Sequence, residues 1–252
     1  MAGSLHWIEN AATGTAAAIS TAAGEACFSK RFSEEWLFRA TLRNSLRASL
    51  AARRSAWLRV PEVLRADYRD LRIDYELMAD WQPLHTILRQ RAFAGLEPAE
   101  LHRIFWTIGA ALEELHRHTH RIHGDFDFDN VLVKPGAERV LFVDFTPPEY
   151  ANFRRYNAAS PYRDIAMLVL FVRAKYPPQQ LHLALRPQLT GLARAFIRGY
   201  FRNAPAKYDR QLLESSMNRL LEDTYIGTTF TARWLRHSRL YRTDDLAPEP
   251  AA

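Results

Sequence analysis

The chain has 252 residues, 48% hydrophobic and 25% charged, enough apolar side chains for one large domain or two closely packed lobes and far from the composition of a disordered polymer. Lys and Arg number 34 against 28 Asp and Glu, and the formal net charge of +6 favours anionic partners such as nucleotide phosphates, nucleic acid or an acidic membrane leaflet. The single cysteine, Cys27, excludes an intramolecular disulfide and any multi-cysteine metal centre, and the longest apolar run, Ala166 to Val172, falls far short of the roughly 20 residues of a membrane-spanning helix.

The Ala-rich stretch from Ala11 to Ala23 has no basic residue before it and its approach is interrupted by Glu9 and Asn10, so it reads as part of a cytoplasmic protein and not as an export signal. Residues 5–32 carry turn glycines at 14 and 24 and end in Ala26-Cys27-Phe28-Ser29-Lys30-Arg31-Phe32, an alternation of period two that predicts a small antiparallel sheet. Cys27 is expected to be a small buried residue. Leu37, Leu42, Leu46 and Leu50 then recur near helical spacing, with Ser33 as expected N-cap, Glu34 and Glu35 at the positive end of the dipole, and a stop before Pro61. Arg39, Arg43 and Arg47 lie four apart on that helix, followed by Arg53 and Arg54: a solvated basic face, or a docking stripe for an acidic lipid surface.

Leu71 to Met78 alternates as a strand, and a short helix is expected to begin over 83–90. From Pro98 to His118 the apolar residues Leu101, Ile104, Phe105, Ile108, Ala111, Leu112 and Leu115 keep a three-four spacing that predicts an amphipathic helix. Two apolar runs, 131–133 and 140–143, flank a Pro-Gly turn and predict a hairpin. The chain from Arg163 to about Arg242 is mostly helical in pattern, and its Pro- and Ala-rich acidic tail, 244–252, is expected to be disordered.

The chemistry concentrates in His123-Gly124-Asp125-Phe126-Asp127-Phe128-Asp129-Asn130-Val131-Leu132-Val133, followed by Leu141-Phe142-Val143-Asp144-Phe145. Phosphoryl transfer requires a metal clamp on the phosphates, an oriented acceptor hydroxyl and neutralisation of charge, and Asp and Asn supply the oxygen ligands that magnesium prefers. A loop with Asp125 and Asn130 that enters a hairpin ending in Asp144 brings these groups to the hairpin's open end. Asp127 and Asp129 read as solvated loop charges. The histidines at 116, 118, 120 and 123 do not repeat on one helical face, which argues against a zinc site.

These residues resemble the protein-kinase-like superfamily, in particular its aminoglycoside-phosphotransferase, choline-kinase and lipopolysaccharide-kinase branches, over roughly residues 30–200. The resemblance implies an α+β, two-lobed fold with a small N-terminal sheet lobe over 1–80 that binds nucleotide and a mainly helical catalytic lobe over 81–243. His-Gly-Asp-x-x-x-x-Asn matches the catalytic loop, so Asp125 would be the catalytic base and Asn130 and Asp144 the magnesium ligands. Lys30 is similar to the lysine on the α- and β-phosphates of ATP. Glu76-Leu77-Met78 resembles the hinge whose backbone at Glu76 and Met78 holds adenine, Asp164 the buried aspartate that braces the catalytic loop, and Phe196 to Tyr200 a helix of small-molecule kinases.

The pattern departs from the superfamily in several places. A G-x-G-x-x-G loop is missing from 1–29, Thr13-Gly14-Thr15 being a poor remnant. The helix after Lys30 has no acidic residue in its middle, which leaves Glu35 as the expected replacement partner for Lys30. The Ala-Pro-Glu signature is absent, His-Gly-Asp replaces His-Arg-Asp, and Thr146-Pro147-Pro148 implies a stiff segment after Asp144. These features point to ATP- and Mg2+-dependent phosphorylation of a hydroxyl on a small molecule, sugar or glycolipid, in the cytoplasm or peripherally at the inner face of an acidic membrane. A pseudokinase acting as a nucleotide-binding or protein-interaction module is the alternative, and an atypical Ser/Thr protein kinase the third reading. Nucleic acid is disfavoured because no aromatic-basic recognition motif accompanies the charge.

Overall fold

The computed structural model describes residues 8–10, 15–22, 25–92, 98–134, 136, 138–145, 160–174, 182–222 and 246–247. Along the chain run β1 (Ile8–Asn10), β2 (Thr15–Ala22), β3 (Glu25–Phe32), α1 (Glu35–Ala52), β4 (Leu58–Arg59), β5 (Val63–Asp67), β6 (Arg72–Glu76), β7 (Gln82–Pro83), α2 (Leu84–Ala92), α3 (Pro98–Thr119), β8 (Val131–Val133), β9 (Val140–Phe142), α4 (Tyr162–Ala174), α5 (His182–Tyr200) and α6 (Arg210–Glu222).

The upper lobe is a five-stranded antiparallel sheet in the order β1-β2-β3-β6-β5 with α1 packed against one face. The period-two pleat of β3 sends Phe28, Lys30 and Phe32 to one face and Cys27, Ser29 and Arg31 to the other. Phe32 meets Phe38 of α1 edge-on at 6.0 Å and joins Leu37, Leu42 and Ile73 in a small core. The residue that anchors the helix therefore also sets Lys30, two positions earlier, toward the space beneath the sheet. On the opposite face Cys27 is buried, as its sequence predicts, and Ser29 Oγ donates to Asp74 Oδ1 at 2.6 Å.

α1 begins one residue later than the sequence suggests. Glu34, in extended conformation (φ −127°, ψ 134°), holds the N-cap position without a side-chain cap, and its carboxylate instead accepts the indole N–H of Trp36. Ser33 is thus not the cap. The helix ends at Ala52, before Pro61, and buries Leu37, Phe38, Thr41, Leu42, Ser45, Ala48 and Ala51.

The lower lobe carries a second sheet, β4-β9-β8-β7, in which the antiparallel β8–β9 pair is the expected hairpin. β4 pairs with β9 in parallel and β7 with β8 antiparallel, so segments on either side of β5–β6 clamp the hairpin. Strands of two residues carry no periodicity, and β4 and β7 have no sequence signal for that reason. Below them α3, α4, α5 and α6 enclose a core containing Phe105, Ile108, Leu112, Phe128, Ile165, Phe196 and Leu213. Leu246 is fully buried in that core and Ala247 is exposed; the other residues of the tail expected to be disordered lie outside the described residues. Among the described residues no helix is long and apolar enough to cross a membrane.

α3 and α5 touch backbone to backbone. A Cβ placed on Gly199 would lie 2.0 Å from the Trp106 carbonyl oxygen, and one on Gly109 would lie 2.1 Å from that of Phe196. No side chain fits there without parting the helices. Gly199→Ala is expected to lower stability by about 1–3 kcal/mol through overpacking, read as a drop in the urea midpoint at unchanged slope; an unchanged midpoint would mean the helices can separate freely.

Candidate active site

The loop at the centre of the lower lobe is braced by one buried carboxylate. After α3 the chain turns through His120, left-handed at φ 51°, and reaches Gly124 at φ 97°, a conformation that glycine adopts without penalty. Asp164, in the first turn of α4, accepts the backbone N–H of His123 at 2.6 Å and of Gly124 at 3.1 Å. His116 of α3 donates to it from Nε2 at 2.9 Å and shares a hydrogen bond of 2.9 Å with the Tyr200 hydroxyl at Nδ1. Burial pushes the Asp164 carboxyl up, but the hydrogen bond and charge of His116, followed by the charge of His123 and that residue's N–H, prevail and hold it below the ordinary range. His123 is itself buried, which depresses its pKa, and its Nε2 donates to the Val143 carbonyl at 2.9 Å while its ring lies against Phe145. Loop and hairpin end are thereby tied together.

Within the loop the Asn130 side-chain amide donates to the Asp125 carbonyl at 2.8 Å and to Asp125 Oδ2 at 3.1 Å. The Val143 N–H donates to the Asn130 carbonyl at 3.1 Å, so the first residue before β8 and the first after β9 lie side by side. Asp144 follows in left-handed conformation at φ 54°, a geometry of about 1 kcal/mol in cost for a residue with a Cβ, and strain of this kind concentrates at functional sites. Lys30 Nζ reaches down from β3 and pairs with Asp144 Oδ1 at 2.5 Å. Burial pulls the Asp144 carboxyl up, yet the Lys30 charge and hydrogen bond win and keep it low. Asp125 is pushed up to about 6 by burial, then by the negative charges of Asp144 and Asp127, against the bond from Asn130 and the charge of Lys30.

Asn130, Asp144 and Lys30 form the polar end of a cavity of about 450 Å³ between the lobes. Its other end is apolar, lined by Ala17 and Phe28 from above, Leu132 from below, and Glu76, Leu77 and Met78 along the connection between lobes. The Glu76 N–H donates to the Glu62 carbonyl at 2.9 Å and its carboxylate holds Arg59 at 2.7 Å. The Met78 carbonyl accepts the Trp81 N–H at 3.0 Å. The structure thus brings Lys30, Asn130, Asp144, Glu76 and Met78 to one cavity, with Asp125 joined to it through Asn130.

Several expectations change in three dimensions. Glu35 does not replace the missing helix carboxylate: it pairs with Arg39 at 2.6 Å, one turn along its own helix. The residue that α1 offers to the cavity is Ser45, 3.2 Å from the Tyr75 hydroxyl, whose ionisation burial strongly opposes. Asp127 caps the Phe128 N–H, and Asp129 borders the cavity and pairs with His85 of α2. Thr13 and Gly14 and the stretch Thr146 to Pro148 lie outside the described residues. Sequence reasoning missed the bracing roles of His116 and Tyr200 and the positions of Ser45 and Tyr75. His116 had a usable signal, since it ends the buried face of α3 one turn after Leu112.

The donor set suits a hard divalent cation. A carboxylate whose pKa is raised by the charge of a second one, with an amide oxygen beside it, is what Mg2+ relieves and what it ligates. Among the described residues no group of three or more His, Cys, Asp and Glu could hold a metal, so such a cation would need oxygens from a nucleotide or water to complete its shell.

No family model matches the sequence, and the comparison with curated proteins finds no match. The structure is similar to that of WaaP in complex with acyl carrier protein, with a TM-score of 0.52 at 15% identity, covering 94% of this chain and 88% of that one. Two variant forms of the Mycobacterium tuberculosis PknI kinase domain are similar at a TM-score of 0.49 with 21% and 22% identity, over 84% of this chain and 92% and 93% of those. With a small antiparallel sheet above a helical lobe that carries the loop and hairpin between them, the chain has a two-lobed, α+β, protein-kinase-like fold.

Proposed function

We propose that the chain is an ATP-dependent phosphotransferase acting on a hydroxyl of a small molecule, sugar or glycolipid. The observation that carries this reading is the convergence of Lys30, Asn130, Asp144 and, through Asn130, Asp125 on the polar end of a cavity whose apolar end borders Glu76–Met78. Magnesium-ATP would supply the phosphoryl group and neutralise its charge during transfer, with Asn130 and Asp144 on the metal and Lys30 on the phosphates. The adenine would lie between Ala17, Phe28 and Leu132, meeting the backbone of Glu76 through its carbonyl and of Met78 through its amide, since the Glu76 N–H and the Met78 carbonyl are already engaged. Asp125 orients the acceptor hydroxyl and takes its proton; with a pKa of about 6 it is ionised at neutral pH yet basic enough to accept.

The acceptor class follows from the span between Asp144 and Asp164, about 20 residues without the Ala-Pro-Glu signature of a peptide platform. A cytoplasmic setting supplies the ATP, and a glycolipid acceptor would place the work at a membrane surface.

One observation favours the pseudokinase reading: Ser45 stands where α1 would have to offer a carboxylate to Lys30, and the described ion-pair partner of Lys30 is Asp144. Thermal shift separates the two. Saturating Mg2+-ATP is expected to raise the melting temperature of the wild type by about 5–10 °C, with slow hydrolysis in the same samples, and the shift is expected to vanish in Asp144→Ala. A metal-dependent shift without any turnover across an acceptor panel would favour the pseudokinase. No shift in the wild type would remove nucleotide binding altogether.

A further inference from the structure

Between Trp36 and Pro61 the sequence has six arginines, at 39, 43, 47, 53, 54 and 59, and no acidic residue. The structure adds where they point. α1 turns its buried face, from Leu37 to Ala51, onto the sheet and the lower lobe. Trp36, Arg43, Leu46, Arg47 and Leu50 recur at three- and four-residue steps on the other side, and all are exposed. Trp36 is 43% exposed, Leu46 48% and Leu50 60%, so the outer face is not merely a solvated basic one: large apolar side chains stand out between the guanidinium groups. Tyr68, 55% exposed, extends the surface, its ring lying against Phe38 and under Arg39.

We infer that the outer face of α1 docks on an anionic lipid bilayer. Charge complementarity names the partner's sign: Glu34 and Glu35, just before the segment, are engaged with Trp36 and Arg39, Arg53 and Arg59 pair with Glu62 and Glu76, and Arg43 and Arg47 stand on the outer face with no acidic residue of the helix beside them. The distribution of the apolar groups selects a bilayer over an acidic protein. They are spread from Trp36 to Leu50, about 21 Å along the helix, and do not gather into one anchor, and a bilayer offers apolar depth along the whole of that line while phosphates meet the arginines. An aromatic residue at each side of the first turn, Trp36 and Tyr68, suits the headgroup level. Arg47 also borders a crevice with Arg121, Thr119 and Phe145, so the docked face runs up to the residues that flank the catalytic loop and Asp144. Docking would thereby hold the candidate site beside the membrane surface. The inference stands on α1 alone and does not depend on the chain being a kinase.

The test is co-sedimentation of the full chain with vesicles of phosphatidylcholine, and of phosphatidylcholine with about 30% phosphatidylglycerol, at rising salt. Binding is expected to the anionic vesicles only and to weaken as salt increases. Arg43→Glu with Arg47→Glu is expected to weaken it at least about 30-fold, each reversal removing an attraction and adding a repulsion of similar size. Leu46→Ser with Leu50→Ser is expected to weaken it about 10-fold at low salt. Unchanged melting temperatures confirm that these surface variants fold. Equal binding to both vesicle types, or arginine variants that bind like wild type, would overturn the inference. So would binding insensitive to the leucines, and absence of binding to either vesicle would pass the surface to an acidic protein partner.

Discussion

Replacing Asp125 by Asn is expected to stop phosphoryl transfer and at the same time to make the ligand-free protein more stable. Loss of a general base at this position costs about 10²–10⁴-fold in turnover. The stability gain has a separate origin. The Asp125 carboxyl is raised from its ordinary 3.8 to about 6 by burial and by the charges of Asp144 and Asp127, so at neutral pH the folded state holds an anion it disfavours. Because the folded pKa lies above the unfolded one, the stabilisation from a protonated Asp125 is fully present below pH 3.8 and is lost as pH rises through about 6. At pH 7.5 the carboxylate therefore costs about 3 kcal/mol, which Asn removes while keeping an oxygen for the Asn130 amide. Melting temperature should rise by about 6–12 °C at pH 7.5, and the gain should shrink toward zero near pH 4. A variant that turns over like wild type would remove Asp125 from the chemistry; one that is less stable at pH 7.5 would show that its charge is compensated in the folded protein.

Asp164→Ala is expected to have the largest effect on stability. It leaves the buried N–H groups of His123 and Gly124 and the Nε2–H of His116 without their acceptor, and water has no route to replace it in a site with no exposed surface. Removing one side of a buried charged network costs about 3–5 kcal/mol. The wild type also carries a pH signature. With the folded pKa of Asp164 held below its ordinary 3.8, its contribution is complete above that value and is lost as pH falls through the depressed one. Denaturant titrations between neutral and acid pH should show a shallower acid-side decline in the variant than in wild type. Parallel declines, or a neutral-pH loss below about 1 kcal/mol, would mean that the His123–Gly124 turn is held by its other bonds.

The parts of this protein legible in its sequence are those whose physics is local. The 3.6-residue spacing of apolar groups placed α3 to within a residue, the period of two placed β3, and Pro-Gly between apolar runs placed the hairpin. Asp125, Asn130 and Asp144 fall within 20 residues of one another, so a loop and a hairpin suffice to gather them, and their residue types alone suggest phosphate and metal chemistry. What depends on packing between distant segments was decided only by the tertiary structure. Lys30 finds Asp144 across 114 positions, His116 finds Asp164 across 48 and Tyr200 across 84, and β4 joins β9 in parallel. Glu35 shows the limit most directly: residue type and distance along the chain made it a partner for Lys30, but the first turn of α1 aims it along its own helix at Arg39, while Ser45 faces the cavity. Periodicity fixes which way a side chain points relative to its own element. Only the docking of elements on one another determines what it meets.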